Sequence, residues 1–338
     1  MPRAFITGVS GKDLTCDERR FVADERPAGL ILFARNIETA DQVRSLIAEF
    51  KEACGPSPVL VMVDQEGGRV QRLRPPIASR LPAAARYSAG YLEDPEQAVD
   101  AAWGVARLAA EELRELGFNA DCAPVLDLPV PGSHGVIGDR AFAARPGPVV
   151  ALGRAFARGL MAGGVLPIMK HIPGHGRACV DSHHELPVVD ATLDTLRTND
   201  FVPFRALREL PAAMTAHVVY SAIDPDSPAS TSRLVTADVI RGDCGFDGLL
   251  MSDDLCMKAL DGTFRERTRA VLEAGSDLAL HCSGILDEMR EVAAAAPAMS
   301  GPSARRLEAA LAITAALPSA FDAEAARARL GMLDGPTV

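Results

Sequence analysis

Eight short apolar runs alternate with longer amphipathic stretches from one end of the 338-residue chain to the other. The runs are Ala4–Val9, Gly29–Phe33, Pro58–Val63, Phe118–Ala123, Val165–Ile172, Ala212–Val219, Gly248–Ser252 and Asp277–Cys282. Most are rich in Val, Ile, Leu or Met, and several are apolar on consecutive positions, as parallel strands buried on both faces are. Helical periodicity runs through Thr15–Asp24, Thr39–Ala53, Glu93–Leu116, Pro146–Ala162, Ser232–Arg241, Thr263–Ala274 and Leu286–Ala295. Thr39 followed by Gln42 predicts a capping box, and Gly117, Gly163 and Gly275 each stand just past a helix end. Strands and helices in this alternation predict an α/β chain folded as a (β/α)8 TIM barrel, with an open doubly wound sheet as the competing arrangement. Two further helical stretches, Pro302–Ala315 and Ala320–Arg329, are expected to pack outside it. No Pro/Ser-rich linker and no internal repeat breaks the pattern, so residues 1–338 read as one catalytic domain.

Charge narrows the partners. Asp plus Glu outnumber Lys plus Arg 45 to 35, a net charge of −10. Nucleic acid and anionic membranes both need a basic footprint, so neither is an expected partner. No apolar run approaches the roughly 18 residues of a transmembrane helix, and MPRAFITGVSGKDLTCDERR lacks the apolar core of a signal peptide. The seven cysteines are scattered and never in C-x-x-C spacing, which predicts reduced thiols in a cytoplasm, with neither a disulfide frame nor a zinc cage.

In a barrel of this kind reactive groups belong at the carboxyl ends of the strands. Four places put polar residues there: Asp64-Gln65-Glu66-Gly67-Gly68-Arg69 after strand three, Lys170-His171 closing strand five, His217 within strand six, and Asp253-Asp254 closing strand seven. Packing alone does not explain this convergence, because each buried charge costs several kcal/mol unless it is paired or functional. Lys170-His171-Ile172-Pro173-Gly174-His175-Gly176 leads into a loop containing Asp181-Ser182-His183. Asp181 and His183 are two residues apart, so both can address one space as an acid/base pair. The two glycines predict that the loop Pro173–Pro187 moves when no ligand is bound. Asp253 is a candidate nucleophile, since a carboxylate at a strand end has few rotamers and a fixed aim. Side chains alternate along a strand, so one of Asp253 and Asp254 should be a structural partner of the other. His175, His183 and His184 form no H-E-x-x-H pattern, and neither a metal nor another cofactor is expected.

Seven blocks in shared order resemble bacterial β-N-acetylhexosaminidases of glycoside hydrolase family 3: GLILFARNI (29–37), VDQEGGRVQRL (63–73), FNADCAPVLDL (118–128), VIGDRAF (136–142), KHIPGHG (170–176), DSH (181–183) and MSDDL (251–255). The chain is similar to the compact, single-barrel, cell-wall-recycling members. Ile172 stands where that family usually has an aromatic residue, and Cys256 where it commonly has a small hydroxyl residue. The resemblance implies Asp253 as catalytic nucleophile, His183 as general acid/base and Asp181 as its partner. It further implies that Asp64, Arg72, Arg140, Lys170 and His171 bind the terminal N-acetylglucosamine. The implied reaction is retaining hydrolysis of N-acetylglucosaminyl-anhydro-N-acetylmuramyl peptides. A neutral imidazole base repels an anion less than a carboxylate would, so phosphorolysis stands as the nearest alternative. A metal-dependent barrel hydrolase is the more distant one.

Overall fold

In a computed structural model of the chain, residues 1–182 and 184–333 are described. Each of the eight apolar runs contributes one parallel strand: β1 (Arg3–Thr7), β2 (Pro27–Leu32), β3 (Leu60–Val63), β4 (Ala120–Asp121), β5 (Leu166–Ile172), β6 (Ala212–Thr215), β7 (Leu249–Asp254) and β8 (Leu278–His281). They close into a barrel in the order β1-β8-β7-β6-β5-β4-β3-β2. Phe5 pairs with Ala279 and Thr7 with His281 across the closing seam, so the ring has no free edge and the open-sheet alternative is ruled out. His217 is a correction, since β6 ends at Thr215 and places that histidine in the loop beyond it.

Alternation along the strands sorts the core into two layers. Leu60 and Met62, Leu166 and Ile168, Ala212 and Met214, and Leu249 and Met251 pack within the barrel. Val61, Val63, Met169, Ala213 and Leu250 pack outward against the helices. Burying each large apolar side chain stabilises by roughly 1.5–3 kcal/mol, so the interior is a filled core and not a pore. Carried two residues further, the inward series of β3, β5 and β7 reaches Asp64, Lys170 and Asp253. The polarity at the rim is thus the continuation of the apolar stripe below it.

Most of the predicted helices form within a few residues of their expected ends. Pro95–Glu115 starts at Asp94, whose side chain accepts from the Gln97 N–H, and has proline in its first turn. It ends before Gly117, which takes a φ of +97°. The predicted Thr39 box is only half made: Thr39 accepts from Gln42 N, while the Gln42 side chain accepts from Glu38 N. Reciprocal boxes close instead at Thr15 with Glu18 and at Thr263 with Glu266. Helices at Ala85–Glu93 and Val202–Ala206 were not expected. Both are too short for periodicity to register, and the second has a proline in its first turn.

The helix Gly301–Thr314 is a second correction. Its Ala304, Leu307 and Ala310 pack with the residues inside the barrel, so it covers the amino-terminal mouth and does not lie on the flank. Arg306 pins it there, bonding Asp277 ahead of β8. The small, regularly spaced side chains let a helix lie close across the strand ends. The last helix, Ala323–Leu333, does lie outside, against Pro95–Glu115.

Candidate active site

The β3 end is built by a tight hairpin. Gln65–Gly67 pairs antiparallel with Val70–Gln71. Gly67 at the turn has a φ of +98°, and a Cβ there would stand 2.3 Å from the Pro82 carbonyl, so glycine is required. The turn brings Arg72 back to Asp64, with Nη2 donating to Oδ2 at 2.8 Å. Lys170 donates to Asp64 Oδ1 at 2.8 Å and lies 2.6 Å from Glu66 Oε1. Arg140 grips Glu66 through two bonds of 2.8 Å each. Two carboxylates and three cations therefore alternate along one wall. Burial by itself raises the Asp64 carboxyl, but Lys170 and Arg72 outweigh it and hold it well below the usual range. Glu66 is lowered in the same way, against burial, by Lys170 and Arg140. Lys170 is depressed by burial and raised further by Asp64 and Glu66, so its ammonium stays charged.

A second network fixes the start of the long loop. Asp127, fully buried, lies 2.7 Å from His171 Nδ1 and accepts the His175 backbone N–H at 2.6 Å. Burial pushes Asp127 up, but His171 more than offsets it and the carboxyl is lowered. A carboxylate only accepts, so the His171 ring keeps a proton on Nδ1 and leaves Nε2 for the pocket. The Tyr220 hydroxyl donates to the Gly174 carbonyl. A Cβ on Gly176 would stand 2.0 Å from the Leu128 carbonyl. The two glycines therefore serve close packing of residues 174–176. His175 Nε2 lies 3.1 Å from Ser182 Oγ, which ties this anchored segment to the stretch carrying Asp181. Burial and the neighbouring His171 lower His175 to about 4, so its ring is neutral at pH 7.

At the end of β7 the two adjacent acids separate, as side-chain alternation predicts. Asp254 accepts the backbone N–H of Cys256 at 2.9 Å and of Cys282 at 3.1 Å, and so holds the strand end. Both acids border the pocket, but Asp253 accepts only the Asp254 N–H, at 2.8 Å, among the described residues. His217 Nε2 is 3.0 Å from the Asp254 carbonyl, so Nε2 carries the proton and Nδ1 accepts from Ser230 at 2.7 Å. Burial works against ionising Asp253, but His217, His171, the Asp254 N–H and Lys170 outweigh it, and the carboxyl is lowered.

These parts surround a cavity of about 320 Å³. Asp64, Arg72, Arg140, Lys170, His171, Asp181 and Asp253 all line it, so seven of the eight expected site residues meet. The eighth, His183, lies outside the described residues. Sequence reasoning missed Glu66, Asp127 and His175 as contributors, and saw His217 without giving it a part. The first three stand inside the DQEGG, LDL and PGHG blocks, and that position was the available signal. A cavity walled by fixed, charged donors and acceptors suits a polyhydroxylated ligand, since each hydroxyl can donate to a carboxylate and accept from a cation. A half-buried carboxylate, Asp253, faces the same space and has the chemistry of a candidate nucleophile.

The chain matches the profile of the glycosyl hydrolase family 3 N terminal domain over residues 7–312. It is 43% identical over 282 residues to a beta-hexosaminidase of Alkalilimnicola ehrlichii, covering 82% of this chain and 80% of that protein. Native NagZ from Neisseria gonorrhoeae superposes with a TM-score of 0.88 at 34% identity, over 99% of both chains. The complex of that NagZ with N-trifluoroacetyl-D-glucosamine gives a TM-score of 0.86 at 34% identity, over 98% of each. With a closed parallel barrel, a charged rim pocket and this likeness along nearly its whole length, the chain belongs to glycosyl hydrolase family 3, among its beta-hexosaminidase-type glycoside hydrolases.

Proposed function

We propose that the chain is an exo-acting, retaining β-N-acetylglucosaminidase that removes terminal N-acetylglucosamine from muropeptides carrying anhydro-N-acetylmuramic acid. Its place is cell-wall recycling in a cytoplasm; among the described residues no helix is long and apolar enough to cross a membrane. The observation that carries this reading is the placement of Asp253 in the same cavity as the cation-bound Asp64. One carboxylate is committed to holding hydroxyls, and the other makes no ion pair among the described residues. A cavity near 320 Å³ is at the small end of ligand pockets, in keeping with one terminal sugar. The sugar analogue bound to the Neisseria NagZ supports the same class of ligand.

In this mechanism Asp253 Oδ attacks the anomeric carbon through an oxocarbenium-like transition state, and the bond to the leaving oxygen breaks as His183 protonates it. Asp181 stabilises the imidazolium form of His183. The neutral imidazole then takes a proton from water, which attacks the anomeric carbon and releases Asp253. Asp64, Arg72, Arg140, Lys170 and His171 hold the sugar. Arg140 acts from its clamp on Glu66, with Nη1 donating to the Val136 carbonyl at 3.2 Å. The test is mass spectrometry of the protein after reaction with a 5-fluoro N-acetylglucosaminyl fluoride. A labelled peptide modified at Asp253 is the expected result, and a label elsewhere or none overturns the nucleophile. Product analysis in phosphate buffer should give free sugar; a dominant sugar 1-phosphate would replace hydrolysis by phosphorolysis.

A further inference from the structure

Beside the catalytic pocket, and outside the parts used above, three side chains of different ligand chemistry converge. Cys256 follows the end of β7, His281 ends β8, and Glu288 is in the first turn of the helix Leu286–Ala295. One ligand atom from each lies within 4.8 Å of the other two. His281 is fully buried, with Nε2 3.1 Å from Glu288 Oε2 and Nδ1 without a hydrogen-bond partner among the described residues. Phe264 packs edge-on against the imidazole at 5.2 Å between ring centroids and holds its plane. Glu288 is partly exposed, which leaves a way in from solvent.

We propose that Cys256, His281 and Glu288 form a binding site for a zinc-class divalent cation. Zinc takes thiolate, imidazole and carboxylate together, with bonds near 2.0–2.3 Å, so neighbouring ligand atoms of a tetrahedral site sit about 3.3–3.8 Å apart. His281 Nε2 and Glu288 Oε2, 3.1 Å apart, would part by a few tenths of an ångström to reach that figure, and the third ligand atom would close in from within 4.8 Å. Charge also balances: one thiolate, one carboxylate and a neutral ring neutralise a dication. Binding forms the sulfur–metal bond and releases the Cys256 thiol proton to solvent, with no change of oxidation state. Ser283, whose hydroxyl lies 3.0 Å from His281 Nε2, or a water would complete the fourth position.

The site is not part of the glycosidase chemistry, but it is mechanically joined to it. The Cys256 N–H is held by Asp254, and Asp254 is the neighbour of Asp253. A cation pulling Cys256 toward His281 therefore acts on the strand end that aims the nucleophile.

Cobalt is the probe, because a cobalt–thiolate bond gives a charge-transfer band in the near ultraviolet that oxygen and nitrogen ligands do not. The full-length protein, stripped of metal, is titrated with Co²⁺ and then with Zn²⁺ against a chromophoric chelator. The expected result is a thiolate band saturating at one equivalent and displaced by Zn²⁺. Cys256→Ser should abolish the band, and Glu288→Gln should keep it while weakening affinity on the order of 10–100-fold. Both substitutions are near-isosteric, and circular dichroism establishes that each variant folds. Absence of the band, or its survival in Cys256→Ser, overturns the proposal and places any bound metal elsewhere on the chain.

Discussion

Asp64 and Asp253 are the same residue type, each just above an inward apolar series, and they open into one cavity. Their surroundings differ in kind. Both oxygens of Asp64 are engaged by cations, Arg72 on one and Lys170 on the other. Among the described residues Asp253 accepts one backbone N–H, with His217 and His171 near enough to favour its charge. A carboxylate between two cations is a rigid acceptor with little nucleophilicity left. A carboxylate that no lysine or arginine engages among the described residues keeps lone pairs available. Position in the barrel provides the aim, and the partners behind each carboxylate decide between holding and attacking.

The sharpest way to break this comparison is to neutralise Asp253. Asp253→Asn should lower turnover by on the order of 10⁴-fold or more, as the kcat of the folded variant would show. Near-normal hydrolysis of an aryl N-acetylglucosaminide by this variant would end the distinction. His183→Ala should lose on the order of 10²–10⁴-fold on substrates with poor leaving groups and less on activated aryl glycosides. Rates for a series of leaving groups check this, and equal loss across the series would remove His183 as the acid.

Lys170→Met reverses the emphasis. It leaves Asp64 and Glu66 facing each other with one cation fewer, and should cost about 3–5 kcal/mol of stability in addition to weakening substrate binding. A denaturant curve within about 1 kcal/mol of the parent would show that the wall is not held by charge pairing.

The smallest effect concerns pH. Asp121, fully buried behind the hairpin, accepts from Gln65 N at 2.9 Å through one oxygen while the other has no partner. Burial pushes its carboxyl up to about 7. The folded chain thus keeps a proton that the unfolded chain releases near 4, and this group's contribution to stability falls as pH rises from about 4 to about 7. Asp64, Glu66, Asp127 and Asp253 have the opposite sign, since each is lowered in the fold. Their contribution is present above about 4 and is lost as pH falls below it. Asp121→Asn should flatten the upper limb of a stability-against-pH curve and leave the acid limb in place, as urea midpoints from pH 3 to 8 would reveal. An unchanged upper limb would exclude Asp121 as its source.

Much of the barrel and its rim is legible in the order of residues alone. Eight apolar runs specify eight strands, because a strand buried on both faces tolerates no polar interruption. The motif blocks put seven of eight expected residues around one cavity. Other features are hidden because their cause is distant along the chain. Asp127 anchors His171 and His175 from 44 and 48 residues away. Arg140 is bound by Glu66 across 74 residues. The helix Gly301–Thr314 has ordinary composition, and nothing local distinguishes a helix that covers a barrel mouth from one on its flank.

Sequence by itself determined the parallel barrel, the rim on which chemistry could gather, and the alternation that separates Asp253 from Asp254, because strand periodicity and burial are local properties. Only the tertiary structure decided which carboxylates are neutralised and which glycines are pinned. The same closure placed Cys256 beside His281 and Glu288, since pairing of charges and close approach of backbones depend on which distant segments it brings within about 3 Å.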